Sequence, residues 1–140
     1  MLLLKTLVIT FLLIPFVPLQ AVLNDSAITV RLQQAVDANC DGIHDNVFSS
    51  TDLFIILPQQ CVIYKISVHN LSSQSVSDVL LTGKILQYAQ LKPNSTFIYK
   101  NGKLQSATIY QSANSIQVKA RLITLAPSET IDMIYSVLIN

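Results

Sequence analysis

The chain has few of the residues on which active sites depend. Its 140 residues include no Trp, two His, two Cys and three Gly, and 12% of them are charged. Glutamate occurs once, at Glu129, and there is neither a phosphate-binding glycine loop nor a G-x-S-x-G nucleophile motif. Glu129 and Asp132 are close in sequence, but two acids at the start of a predicted strand are typical of a solvated edge. We therefore predict that the protein is not an enzyme.

An excess of positive charge is missing as well. The chain has 9 Lys plus Arg against 8 Asp plus Glu. Lys5 belongs to the N-terminal segment described next, and the basic and acidic residues after it balance. Proteins that bind a phosphate backbone carry a clear basic excess. The composition therefore excludes nucleic acid as the expected partner.

The N-terminal residues have the pattern of a secretory signal peptide. Lys5 precedes an uncharged apolar stretch over residues 6–19, and the small residue Ala21 offers a cleavage point. The apolar stretch is short for a membrane span, and Pro15 and Pro18 interrupt it; an uncleaved anchor is the alternative. We predict a signal peptide over residues 1–21 and one domain over residues 22–140. That domain would have no membrane span and would be secreted, periplasmic or on the cell surface.

Both cysteines, Cys40 and Cys61, follow the predicted signal peptide. In an oxidising compartment an even number of cysteines indicates a disulfide. The enclosed loop of about 20 residues would stabilise the fold by roughly 3 kcal/mol in the chain-entropy model. The spacing of His44 and His69 relative to the cysteines does not match a zinc site.

Residues 22–140 consist of short segments with a period of two, separated by turn residues. Residues 61–69 are the clearest case, with Val62, Tyr64, Ile66 and Val68 on one face. Asn101-Gly102 predicts a hairpin turn, with residues 96–99 and 107–110 as its strands. The remaining predicted strands cover residues 27–35, 53–57, 76–81, 116–122 and 130–139. The pattern predicts an all-β fold, an immunoglobulin-like sandwich of about seven to nine strands with one disulfide; a small closed barrel is the alternative.

Three short motifs occur in an order that is typical of a known family. They are DANCDG at residues 37–42, QCVIYKISVHN at residues 60–70, and LAP at residues 125–127 before the last strand. Together they resemble the DUF11, or conserved repeat, domains of bacterial surface proteins, in particular the subset with a D-x-N-C-D-G loop. Gln59 and Ser128 stand where that family has Gly after Pro. The resemblance implies an immunoglobulin-like sandwich in or outside the cell envelope, and no catalytic residues.

The loop that begins at Asp37 resembles the first nine positions of an EF-hand calcium loop. Calcium prefers six to eight oxygen ligands, and Gly42 at position 6 would permit the sharp turn. Phe48 stands at position 12, where a bidentate Glu is usual. The alternative is a set of Asx turns without metal. No other cofactor is predicted, and the predicted calcium ligands are Asp37, Asn39, Asp41, Asp45 and the carbonyl of Ile43.

These observations predict a non-catalytic exported module of the bacterial envelope or surface. It would act by contact with another envelope protein or by self-association, and open strand edges offer one route. The alternative is an adhesin or pilus-like subunit that recognises a host or matrix ligand. Tyr88, Tyr99 and Tyr110 could form its binding patch if they are exposed together. Tyr64 and Tyr135 lie on core-facing patterns.

Overall fold

The computed structural model describes residues 8–10, 28–51, 55–111 and 116–140. In this part of the chain the regular elements are ten β-strands. Five of them have nine or ten residues and the others three or four. They are β1 (Val8–Thr10), β2 (Ile28–Asp37), β3 (Cys61–Asn70), β4 (Val76–Lys84), β5 (Ala89–Leu91), β6 (Phe97–Lys100), β7 (Lys103–Gln105), β8 (Thr108–Tyr110), β9 (Gln117–Leu125) and β10 (Thr130–Ile139).

The strands form two sheets that pack face to face. The first sheet has the order β1-β4-β9-β8, and the second has the order β2-β3-β10-β6-β7, with β5 also paired to β10. The named pairings are antiparallel except for β1 on β4, which is parallel. Nine of the strands fall within residues 22–140. The predicted immunoglobulin-like sandwich with one disulfide is confirmed, and two separate sheets replace the alternative of a closed barrel.

Alternation along the central strands builds the core. The side chains of β3 that the sequence assigned to the inner face are all buried, and β10 matches them with Ile131, Met133, Tyr135 and Val137. The first sheet supplies Val79 and Leu81 from β4 and Val118 and Ala120 from β9. Burying one such side chain stabilises the fold by about 1.5–3 kcal/mol. The sheets are therefore held together mainly by apolar side chains at alternate positions.

Several predicted strand boundaries are wrong. The strand that pairs with β6 across the Asn101-Gly102 turn is Lys103–Gln105, whereas Thr108–Tyr110 pairs with β9 in the other sheet. Residues 55–57 do not form a strand, and residues 53 and 54 lie outside the described part of the chain. The strand predicted to stop before Gly83 continues to Lys84. The short strand β5 was not predicted.

Gly83 lies within strand β4. The ring of Tyr135 occupies the space that a side chain at this position would need. A Cβ atom at this position would lie 2.5 Å from Cε1 and 2.8 Å from Oη of Tyr135. The hydroxyl of Tyr135 donates a hydrogen bond to the carbonyl of Lys84 over 3.1 Å. The ring of Tyr135 also stacks on Tyr64, with 5.3 Å between centroids. Glycine therefore acts here through close packing and not as a strand terminator.

Asn70 ends β3 and joins two turns to it. Its side-chain amide donates to the carbonyls of Gln74 and Leu125 over 2.7 and 3.1 Å. Its Oδ1 accepts from the backbone N–H of Ser72 over 3.0 Å. Asn70 is fully buried, and buried polar groups have to be paired in this way. The last residue of the QCVIYKISVHN motif is thus an interior connector between the end of β3 and the turn after β9.

Candidate functional site: the disulfide-linked loop

The disulfide predicted from the cysteine count is present. Cys40 and Cys61 are bonded, their Cα atoms are 5.1 Å apart, and the bond spans 21 residues of sequence. Cys61 is fully buried at the start of β3. Cys40 has a positive φ of 57° in the loop after β2. The disulfide therefore attaches the loop of residues 38–51 to β3, an inner strand of the second sheet.

Asp37 organises the first turn of this loop. Its carboxylate is buried and accepts from the backbone N–H groups of Asp41 over 3.1 Å and Gly42 over 2.9 Å. Asp41 in turn accepts from the N–H of Ile43 over 2.8 Å. Aspartate side chains that bond to backbone amides a few residues ahead are typical of Asx turns. Gly42 has a positive φ of 92° and permits the reversal between them.

The second half of the loop covers the outer edge of β2. The carbonyl of Val36 accepts from the N–H of Asp45 over 2.7 Å, and its N–H donates to Oδ1 of Asn46 over 2.8 Å. Oδ2 of Asp45 accepts from the N–H of Ala38 over 2.7 Å. Gln34 and Ser49 exchange two backbone hydrogen bonds of 2.9 Å. An exposed strand edge is a template for pairing with another chain, and this loop occupies it from residue 34 to residue 38.

The predicted calcium ligands lie together in the loop, but their oxygens bind backbone amides. The carboxylates of Asp37, Asp41 and Asp45 each accept from at least one N–H of the loop. Asn39 directs its amide nitrogen, a donor, to Asp41 over 3.0 Å. In the described part of the chain no group of three His, Cys, Asp or Glu side chains is placed to hold a metal ion. This geometry is the one that the Asx-turn alternative predicts, and calcium binding stays a prediction.

Residues that the sequence interpretation did not select also hold the loop. Nζ of Lys92 donates to the carbonyl of Cys40. The ammonium of Lys65 lies 4.6 Å from the centroid of the Phe48 ring, a cation–π distance. His44 contacts the same ring, with 4.8 Å between centroids. Phe48, which stands at the twelfth position of the calcium pattern, thus packs against neighbouring side chains.

A second candidate surface lies at the side of the sandwich where β7 and β8 are the terminal strands of their sheets, away from β2 and its loop. An open groove of about 400 Å³ runs between the β6–β7 hairpin and β8. Phe97 and Leu104 on its rim are 43% and 61% exposed. All three residues of β7 are exposed, and β7 and β8 are the last strands of their sheets. The groove therefore combines apolar side chains with two terminal strands. Its lining is formed by Thr96, Phe97, Ile98, Leu104, Gln105, Ser106, Ala107 and Ile109.

The ionisable groups with shifted pKa values make structural contacts. The bidentate contact with Arg121 lowers the pKa of Asp78. The hydrogen bond from Lys100, an ion pair of 2.8 Å, lowers the pKa of Glu129. Burial, and secondarily the charge of Tyr88, raises the pKa of Tyr64 to about 12. Each of these shifts has its cause in packing or in a surface ion pair.

The tyrosines divide between core and surface. Tyr64 and Tyr135 are buried, as predicted. Tyr88 lies in the turn before β5 and is 59% exposed, and Tyr110 on β8 is 50% exposed. Tyr99 on β6 is half-buried. The ring pairs among the described residues are His44–Phe48 and Tyr64–Tyr135, so the three outer tyrosines do not contact one another through their rings.

Neither a protein-family model nor a curated protein matches the chain. Among solved structures, the pilus backbone protein from Streptococcus pneumoniae is similar, with a TM-score of 0.47 and 10% sequence identity. The similarity covers 79% of this chain and 46% of the pilus protein. The chain thus spans less than half of that protein's length. A similarity at this level carries no argument about function.

In the described part of the chain, no helix has the length and apolar character that crossing a membrane requires.

Proposed function

We propose that the chain is a non-catalytic, exported structural or binding module of the bacterial cell envelope or surface that acts by protein–protein contact. The observation that carries the proposal is the groove between the β6–β7 hairpin and β8. There, exposed apolar side chains adjoin the terminal strands of both sheets. Apolar surface beside unpaired strand edges is the arrangement that another protein can cover by packing and strand addition.

Two features support an exported protein. The disulfide between Cys40 and Cys61 belongs to an oxidising compartment. Lys5 and the apolar residues after it have the pattern of a signal peptide. Export and a net charge of only +1 together favour a polypeptide partner over a nucleic acid.

The backbone supports a relationship to the DUF11-like domains. Gln59 and Ser128 occupy the two positions where that family has Gly, and their φ angles are 72° and 62°. Left-handed conformations of this kind favour glycine. Both turns thus keep the conformation that the family's glycines would adopt, although their sequence differs.

The adhesin alternative has less support from the surface. An exposed patch of tyrosines would favour it, but the exposed Tyr88 and Tyr110 lie on different elements without a ring contact. At the groove, by contrast, Phe97, Leu104 and Ile109 line one opening. We therefore place the binding surface at the groove.

Site-specific photo-crosslinking tests the proposal. A photoreactive phenylalanine analogue would replace Leu104 in one variant and Arg31, an exposed residue on β2, in a control variant. Both proteins would be irradiated in intact cells of the source. We expect a discrete adduct from position 104 and none from position 31. Equal adducts at both positions, or adducts at neither, would contradict a binding surface at the groove.

A further inference from the structure

The outer edge of β4 is covered by a segment that the sequence predicts to be removed. Strand β1 (Val8–Thr10) runs parallel to β4 and pairs with Leu80, Leu81 and Thr82. It is the terminal strand of its sheet, and it lies inside the predicted signal peptide of residues 1–21. Cleavage after residue 21 would leave the backbone groups of β4 that face β1 without a partner strand. Such an edge is a template for pairing with another polypeptide.

The rest of this side of the sandwich is protected by residues of the domain itself. The loop after β2 occupies the edge of β2 from residue 34 to residue 38. In β4, Asp78 has a positive φ of 54° and a bidentate contact with Arg121. An irregular backbone and a charge pair both discourage strand addition. Among residues 28–51, 55–111 and 116–140, no segment covers the regular part of the β4 edge, which therefore begins at Leu80.

Apolar residues surround that part of the edge. Val79 and Leu81 are core residues of β4. β7 and β8 line one groove, so the opposite terminal strands, β1 and β2, share the other side of the sandwich. On β2, Ile28, Val30 and Leu32 pack against the core but stay only partly buried. An apolar strand added to the β4 edge would widen the first sheet on the side of the sandwich where these partly buried residues of β2 lie.

We infer that in the exported protein this edge binds an extended segment of a partner polypeptide, rich in β-branched apolar residues, which adds to the sheet parallel to β4. The inference goes beyond the proposed function, because it adds a second contact surface on the side of the sandwich away from the groove at Leu104. The chemistry of the occupant is that of Val8-Ile9-Thr10, three β-branched residues, which occupy the edge in this structure. Backbone hydrogen bonds would supply affinity, and alternate side chains would supply specificity.

Hydrogen exchange on the exported protein tests the inference. Mass spectrometry first establishes whether the predicted signal peptide, residues 1–21, is absent from the purified protein. The probe is a synthetic peptide with the sequence of residues 5–12, and exchange at Leu80–Thr82 is followed by NMR. At 100 times its Kd the peptide leaves the edge unoccupied about 1% of the time, so amides that face the edge should exchange about 100-fold more slowly.

Matched variants separate edge pairing from general adhesion. Leu80→Lys places a charge on the edge and should weaken binding at least about tenfold, because edge charges oppose strand addition. Ser77→Lys places the same charge on an exposed residue of the same strand, before Asp78, and should leave affinity unchanged. A peptide with Pro in place of Ile9 loses a backbone donor and should not protect the edge.

Four results would overturn the inference: a signal peptide that is retained in the exported protein, no slowing of exchange at residues 80–82, slowing at β7 or β8 instead, and protection of residues 80–82 by self-association without peptide. The last result would assign the edge to a second copy of the chain. If the β4 edge stays unprotected while the photo-crosslink at Leu104 forms, the inference fails and the proposed function stands.

Discussion

Gly83→Ala would add one methyl group where the ring of Tyr135 already lies. The new Cβ would be 2.5 Å from Cε1 of the ring, far inside van der Waals contact. The ring has little freedom to withdraw, because Tyr135 is buried, stacks on Tyr64 and donates to the carbonyl of Lys84. Either the backbone of β4 or the ring must shift, and the hydrogen bond to Lys84 would be strained in both cases.

The expected loss is about 2 kcal/mol of unfolding free energy. Overpacking a core typically destabilises by about 1–3 kcal/mol, and loss of the Tyr135 hydrogen bond adds roughly 1 kcal/mol. Alanine also restricts the unfolded chain, which offsets the loss by about 0.4–1 kcal/mol. For a domain of this size the midpoint of thermal unfolding should fall by about 5–10 °C.

Urea unfolding followed by circular dichroism measures the effect, and a double-mutant cycle assigns it to the ring. In a Tyr135→Leu background the methyl group has room, so Gly83→Ala should lose less than about 0.5 kcal/mol there. Gly102→Ala is the control, because a Cβ at Gly102 meets no atom within 4 Å; its effect should be the same in both backgrounds. A Gly83→Ala protein as stable as the parent would refute the packing argument.

The remaining predictions concern a buried amide, a strained turn, pH and calcium. Asn70→Asp loses two buried donors and should lower the unfolding free energy by about 3 kcal/mol in urea titrations, since carbonyls would then face a carboxylate; an unchanged midpoint would contradict the connector role. Ser128→Gly should raise stability by up to about 1 kcal/mol by relieving the left-handed conformation, and Ser128→Val should lower it. Burial raises the pKa of Tyr64 from 10.0 to about 12, so the folded state holds this proton more tightly than the unfolded state. The stability due to this group is complete below about pH 10 and is lost as the pH rises towards 12; Tyr64→Phe should flatten that decline in urea midpoints measured across this range. If the loop binds calcium, calcium at 100 times its Kd should stabilise the fold by roughly 2.7 kcal/mol relative to chelator, and Asp41→Ala should abolish the effect; an unchanged thermal midpoint in millimolar calcium favours the Asx turns.

The sequence predicted the core strands well because their pattern is local. Alternation in residues 61–69 and 130–139 places every second side chain on one face, and burial follows that alternation over residues 64–70 of β3 and 130–135 of β10. The disulfide followed from two cysteines and an oxidising compartment. In each case the deciding information lies within a few residues or in the composition.

The errors occur where distant parts of the chain decide the structure. The strand from Thr108 to Tyr110 has the right pattern for a hairpin partner, but β9 in the other sheet takes it, and pairing partners are not encoded in periodicity. The strand predicted over residues 76–81 continues through Gly83. Glycine suits that position because of the ring of Tyr135, which lies 52 positions along the chain, where a local pattern does not show it. The covering of β2 by the loop was missed for the same reason, since Asn46 and Ser49 bond to residues that precede the loop.

The pairing of β3 has a mechanical consequence. β2 and β10 flank β3 along almost its whole length and both run antiparallel to it. A tensile force applied at Ile28 and at Ile139 would therefore act at opposite ends of this three-stranded unit and load its hydrogen bonds in shear, all at once. The disulfide adds a length limit, because the chain between Cys40 and Cys61 cannot extend. The disulfide closes 21 residues of sequence, so about 70 Å of extended chain length could not be released when the protein is stretched. The same covalent bond that fixes the loop would thus make the module short and stiff under load.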